Sequence, residues 1–259
     1  MLRNAVLTAL IAAVTPVYAA TRIPHVASPY KMSETALRGT IRYRLRLPDE
    51  RWRVPETGEQ VVVANDNGTV DLRVCAPGCD GAAPGTGDIA RYLLANDWVD
   101  SDAIALRRFA RDAAGGGPVA RRMQRLVEAI RHHMDGPIAF DAYRSATQAL
   151  RDRGGDCTEA AVLLAAAARA AGIPTRVMYG LVYSSRFTGV SHSFSPHMWV
   201  QAWDGVRWVS YDAGVGEFDA GHVALAIGDG RPTDAGAMMA LIRGMQVVDA
   251  ASVIAEPAR

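Results

Sequence analysis

Apolar and polar positions change period several times along the chain, and each change marks an element. Residues Ala160 to Ala171 are apolar on every side except at Arg169, which predicts a helix buried all round rather than laid on a surface. Asp156 is a good N-cap, Glu159 three residues later approximates a capping box, and Gly172 followed by Pro174 supplies the stop. Cys157 therefore sits on the first turn of the most buried helix. Helices are also predicted over 102–113 and 119–133, the second carrying Met123, Leu126, Val127 and Ile130 at helical spacing, with the Gly115–Pro118 break between them. A short helical segment over 143–150 leads into the cysteine helix.

Period two governs the rest. Residues 20–35 read as a polar tail, and Thr40–Leu47 alternates apolar residues with arginine, a strand with one wet face. Gln60–Val63 and Thr69–Val74 flank an Asn65-Asp-Asn-Gly68 turn and read as a hairpin. After Pro174, residues 176–183 form a buried strand, and Ser184–Pro196 is a Ser- and Gly-rich loop expected to line a cleft. Met198–Trp203 and Val206–Tyr211 form a hairpin about Asp204-Gly205, and strands follow near 222–227 and 245–248. The pattern is α+β: a small β-rich region over 20–90, then a domain over 91–259 in which a buried helix packs on antiparallel strands.

Composition narrows the setting. Arg3, the apolar run Ala5–Val14 and the small-residue site Val17-Tyr18-Ala19 have the form of a secretory signal peptide over 1–19, so the product is expected to be periplasmic or secreted. No later apolar run reaches transmembrane length, so no membrane span is expected once the signal is removed. The 28 basic and 27 acidic residues become 27 of each when Arg3 leaves with the signal, a balance that offers no electrostatic case for nucleic acid.

Three cysteines in an exported chain invite pairing. Ala-Pro-Gly between Cys75 and Cys79 is a turn that brings them together, and a disulfide is expected; zinc would need a second ligand pair that the chain lacks. No metal or cofactor is called for. Cys157 is left as the odd thiol. A helix N-terminus lowers a thiol pKa by about one unit from a free value of about 8.5, which leaves it mostly protonated. A nucleophile at this position needs a histidine.

The Asp-Gly hairpin supplies one. With a two-residue loop Trp203 faces Val206, and counting outward places His197 opposite Asp212, with Cβ atoms about 5 Å apart on one face. A slip of one residue would separate them. His192, without an opposed acid, ranks second as base, and His132-His133 reads as a solvated helix end.

Gly155-Asp-Cys-Thr-Glu159, Gly172-Ile-Pro-Thr-Arg176, His197-Met-Trp199 and Trp208-Val-Ser-Tyr-Asp212 resemble the core of the transglutaminase-like superfamily, over about 115–230. The resemblance implies a papain-like arrangement with Cys157 as nucleophile, His197 as base and acid, and Asp212 as its orienter. Arg176 and the tryptophans would be structural. Met198 departs from the Ala common at that position. The Cys157 backbone N–H is the expected oxyanion donor, with Gln148 as a side-chain candidate. The implied function is acyl transfer, by default hydrolysis of a peptide or amide bond in a peptide or protein of the cell envelope. Protein-glutamine transamidation is the alternative. Arg153-Gly-Gly-Asp-Cys157 also resembles the arylamine N-acetyltransferase motif, and a non-catalytic binding module on the same fold is the reading from a different class.

Overall fold

The computed structural model describes residues 23–76, 78–79, 87–140, 143–187 and 189–253; the expected signal peptide lies outside them. A two-residue strand β1 (Val26–Ala27) and a one-turn helix α1 (Glu34–Leu37) precede β2 (Thr40–Arg46). In β2 the alternation does what it predicts: Ile41, Tyr43 and Leu45 are buried, and Arg42, Arg44 and Arg46 are exposed. β3 (Gln60–Asp66) and β4 (Thr69–Cys75) pair around Asn67 and Gly68, both at positive φ as a tight hairpin turn requires. A disulfide joins Cys75 at the end of β4 to Cys79.

Amphipathic helices follow. α2 (Ile104–Ala114) buries Leu106, Ala110 and Ala114 along one stripe, and α3 (Val119–His133) buries the four positions predicted. Ser145 and Gln148 close a capping box on α4 (Ala146–Asp152). α5 (Cys157–Ala170) has its own capping box, in which Asp156 accepts from the Thr158 N–H at 2.7 Å and Glu159 accepts from the Asp156 N–H at 3.0 Å. Gly155, at φ +139°, brings the chain in: a Cβ there would stand 2.6 Å from a Glu159 carboxylate oxygen. From Ala160 to Arg169 every residue of α5 is buried. The one polar member, Arg169, donates to Thr175 O, Leu94 O and the Asp229 carboxylate, so its buried charge is satisfied.

α5 packs between α2, α3 and α4 and a five-stranded antiparallel sheet. That sheet contains β5 (Thr175–Phe187), β6 (Val190–Trp203), β7 (Trp208–Tyr211) and β8 (His222–Gly228), with β1 at its edge. Helix α6 (Pro232–Ile242) and strand β9 (Gln246–Ser252) complete the chain. β9 pairs with β2, so the second sheet runs β3-β4-β2-β9 and joins the first and last parts of the chain.

Three expectations are corrected. Ser184–Pro196 is not a loop: β5 and β6 stay paired from Thr175↔Ala202 out to Phe187↔Val190. The serines that suggested a loop are strand residues, Ser193 and Ser195 being buried with their hydroxyls facing His25 Nδ1. The tail before residue 35 supplies β1, which pairs with β6 at Phe194 and Ser193 and covers that edge. α6 was unforeseen, because its Ala/Gly/Met composition shows no helical stripe.

β6 has two outer neighbours on its free edge. β1 pairs at 193–194 and β7 at 200–203, and among the described residues no strand pairs with 195–199 on that side. The gap is where the tip of α5 enters.

Gly180, in the middle strand, faces His197 on one side and Ala224 on the other, at a bulge in the β5–β8 register. A Cβ at Gly180 would lie 2.0 Å from Val223 O and 3.0 Å from the Trp199 ring. Backbone cannot yield as a flexible side chain can. Gly180→Ala is expected to lower unfolding stability by about 3 kcal/mol, read as a drop in Tm; a variant melting with the wild type would show that the strands can part there.

Candidate active site

Cys157 is half-buried at the first position of α5, while His197 on β6 is 3% exposed and Asp212, just beyond β7, is 1% exposed. His197 Nε2 lies 2.5 Å from Asp212 Oδ2. A Cβ built on Gly214 would stand 3.3 Å from Cys157 Cβ, from His197 Cε1 and from Asp212 Oδ1, so the three side chains converge on one point. Cys157 Cβ and His197 Cε1 are thus no more than twice that distance apart. Because Nε2 serves Asp212, Nδ1 is the ring nitrogen left for the sulfur. The backbone N–H of Met198, in the edge gap of β6, faces the sulfur and favours its anion.

The pairing arises by a different register from the expected one. The loop is longer and Trp203 pairs with Trp208 rather than Val206; carried outward past Val200↔Tyr211, that register sets His197 level with residue 214 rather than Asp212. A shift of two residues keeps every side chain on its face, whereas a shift of one would have turned Asp212 away. Asp212 leaves the ladder after Tyr211 and folds back onto the imidazole.

Residues 107–213 match the transglutaminase-like superfamily. A candidate cysteine protease from Cytophaga hutchinsonii shares the fold, with a TM-score of 0.52 and 18% identity over 91% of this chain and 90% of that one. The periplasmic domain of TgpA from Pseudomonas aeruginosa aligns at a TM-score of 0.49 and 17% identity, covering 74% of this chain and 75% of that one. No curated protein matches the chain. The transglutaminase-like span contains Cys157, His197 and Asp212 and ends before Asp219 and His222.

Within this core Asp212 is saturated with donors. Oδ2 accepts from His197 and, at 3.0 Å, from His222 Nε2; Oδ1 accepts from the N–H groups of Gly214 (2.6 Å) and Val215 (3.0 Å). Burial alone would raise the carboxyl pKa, but the two imidazoles outweigh it and hold the group well below the usual carboxylate range. Cys157 goes the other way. Burial pushes the thiol up, and Asp156, Asp212 and Glu159 add to this against the Met198 N–H. The helix tip therefore does not yield a resting thiolate; burial first, and then the three nearby carboxylates, override the dipole.

His222 is the site residue that sequence reasoning missed, having been taken only as the start of a strand. No spacing signal joins it to Asp212; the contact exists because β8 lies beside β5. The other candidates lie elsewhere. Gln148 accepts from the Ser145 N–H as part of the α4 cap, His192 Nδ1 lies 2.9 Å from the Tyr183 hydroxyl, and His133 Nε2 faces Leu150 O. Among the described residues, His197, Asp212 and His222 are the cluster whose ligand atoms, within 4.8 Å of one another, could hold a metal ion. Both imidazoles already aim at one carboxylate oxygen, so a cation would have to displace two hydrogen bonds.

Two titrations give a signed prediction. Burial lowers the His222 pKa, but hydrogen bonds to Asp212 and Asp219 dominate and raise it from 6.5 to about 9. A raised pKa contributes stability that is complete below 6.5 and is lost as pH climbs through 9. Glu159, pushed up to about 7 by burial and Asp156, acts in the same direction but between 4.5 and 7. Stability should therefore fall between pH 6.5 and 9 by on the order of 3 kcal/mol. Thermal melts across that range should show the slope in the wild type and a flatter curve in His222→Gln; equal slopes would remove His222 as the cause.

Proposed function

We propose that this protein is an exported cysteine-dependent acyl-transfer enzyme that hydrolyses a peptide or amide bond through a thioester at Cys157. The observation that carries the reading is the convergence of Cys157, His197 and Asp212 around Gly214, in a strand-free gap on the edge of β6. Since the thiol is held protonated at rest, the nucleophile forms as the bond forms. His197 Nδ1 takes the thiol proton while the sulfur attacks the carbonyl carbon, and Asp212 steadies the charged ring. The Cys157 N–H, without an intrahelical partner at the first helical position, faces the developing oxyanion. The C–N bond then breaks, and the amine leaves with the proton from His197. Water attacks the thioester, gives a proton to His197, and the acid departs as the thiol is restored. An amine in place of water would give transamidation, the alternative outcome of the same intermediate.

The entrance suits a peptide. Exposed Ile138 follows Pro137, whose carbonyl accepts the Gly155 N–H beside the catalytic tip, and exposed Val215 adjoins Gly214. Ile138 thus lies one residue from a segment bonded to the α5 tip, and Val215 one residue from the point where the three side chains converge. The disulfide and the leader-like N-terminus support export to the periplasm or beyond, and with it a peptide or protein substrate of the cell envelope.

Acid-quenched incubation with cell-envelope peptides, read by mass spectrometry, should reveal an acyl adduct on Cys157 and none on Cys157→Ala. His197→Ala should slow turnover by roughly 10²–10⁴-fold. Added primary amines should leave the product a free acid; amide products would assign transamidation. Turnover without any Cys157 adduct, and undiminished in Cys157→Ala, would refute the proposal.

A further inference from the structure

His222 is 1% exposed and has a carboxylate on each ring nitrogen: Asp212 Oδ2 at 3.0 Å from Nε2 and Asp219 Oδ1 at 2.9 Å from Nδ1. Nδ1 also has the Asp219 N–H at 3.2 Å, and the doubly protonated ring is the form that donates to both carboxylates. Asp219 is itself fixed, its Oδ1 accepting from the Gly221 N–H at 2.8 Å. Phe218 and Trp199 pack on the His222 ring at 5.0 and 5.3 Å between centroids, and the His197 ring is 5.6 Å away. Glu59 lines the same small cavity beside His222, bonded to Ser210 and Gln201. The charged and titratable groups around His222 are thus Asp212, Asp219, His197 and Glu59.

We propose that His222, clamped by Asp219, is a positioning residue that fixes the Asp212 carboxylate on which His197 turns. The inference rests on the triad reading above and adds a member to it. During acyl transfer the His197 ring gains and loses a proton, so it cannot compensate the buried charge of Asp212 at every step. An uncompensated buried carboxylate is strongly disfavoured and tends to swing or take up a proton. His222 exchanges no proton with substrate, and its charge stays beside Asp212 throughout. Together with the Gly214 and Val215 N–H groups it leaves Asp212 held by three donors even when the His197 bond loosens. The order Asp219, His222, Asp212, His197, Cys157 alternates acid and imidazole up to the thiol.

The test uses the full-length protein and the rate of Cys157 alkylation by iodoacetamide from pH 5 to 10, which needs no substrate. His222→Ala should slow alkylation at pH 7 by about tenfold, the worth of one charge-assisted hydrogen bond, and should shift the pH profile. His222→Gln, which restores a donor without charge, should recover part of the rate, and Asp219→Asn should give a smaller shift in the same direction. His197→Ala separates the two readings. If it slows alkylation while His222→Ala and Asp219→Asn follow the wild-type profile, the role assigned to His222 is wrong and the triad stands. If His197→Ala has no effect, the triad fails and this inference with it. A uniform slowing of His222→Ala at all pH values, with the profile shape unchanged and no recovery in His222→Gln, would mean packing alone and overturn the proposal. Should His222→Ala not fold, Asp219→Asn decides by the same criteria.

Discussion

Asp212 is a carboxylate removed from water, and the architecture around it follows from having to keep that charge. Two imidazoles and two backbone N–H groups meet its two oxygens. A group so placed is worth holding only if every donor is held as well, because losing one leaves a buried charge short of partners. His197 is fixed by the β5–β6 pairing, His222 by β8 and Asp219, and the N–H groups by the turn that follows β7.

The sheet built from β2, β3, β4 and β9 braces this same region. Tyr43 Oη donates to Ala220 O at 2.7 Å, Trp52 Nε1 donates to Leu225 O at 2.9 Å, and the Gln60 amide exchanges bonds with Ala224. Buried Glu59 accepts from the Ser210 N–H, the Ser210 hydroxyl and the Gln201 amide, two residues before Asp212. Arg176 continues the network by donating to Gln201 while stacking over Trp208. The second sheet and the turns that lead into it fix the segment from 210 to 225 that carries Asp212 and His222. The disulfide end of β4 is tied into the same strap, where Cys75 N bonds Glu59 O and Cys79 N bonds Gly58 O.

Cys157 illustrates how a local argument can be outvoted. A helix N-terminus favours an anion by about 1–2 kcal/mol at most. At Cys157 that advantage meets burial and the carboxylates of Asp156, Asp212 and Glu159, two of which belong to the capping box that makes the helix tip in the first place. The cap that positions the sulfur thus adds to what burial does in keeping it protonated. In the reaction we propose, activation passes from the electrostatics of the helix to the geometry of His197.

What the chain determined by itself was whatever depends on neighbours in sequence. The all-apolar run with Asp156, Glu159 and Gly172 specifies α5 and puts Cys157 at its tip; the alternation in β2 and the stripes in α2 and α3 name their buried faces. Even the face shared by His197 and Asp212 was legible, because strand parity survives an error of two in register. What only the tertiary structure decided depends on elements distant in sequence. β1 covering the serines of β6, β9 closing the second sheet, and β8 carrying His222 to Asp212 across β5 leave no periodic trace in the residues concerned. The charge state of Cys157 belongs there too. A pattern along the chain records which way a side chain points, but burial and electrostatics depend on what it meets there.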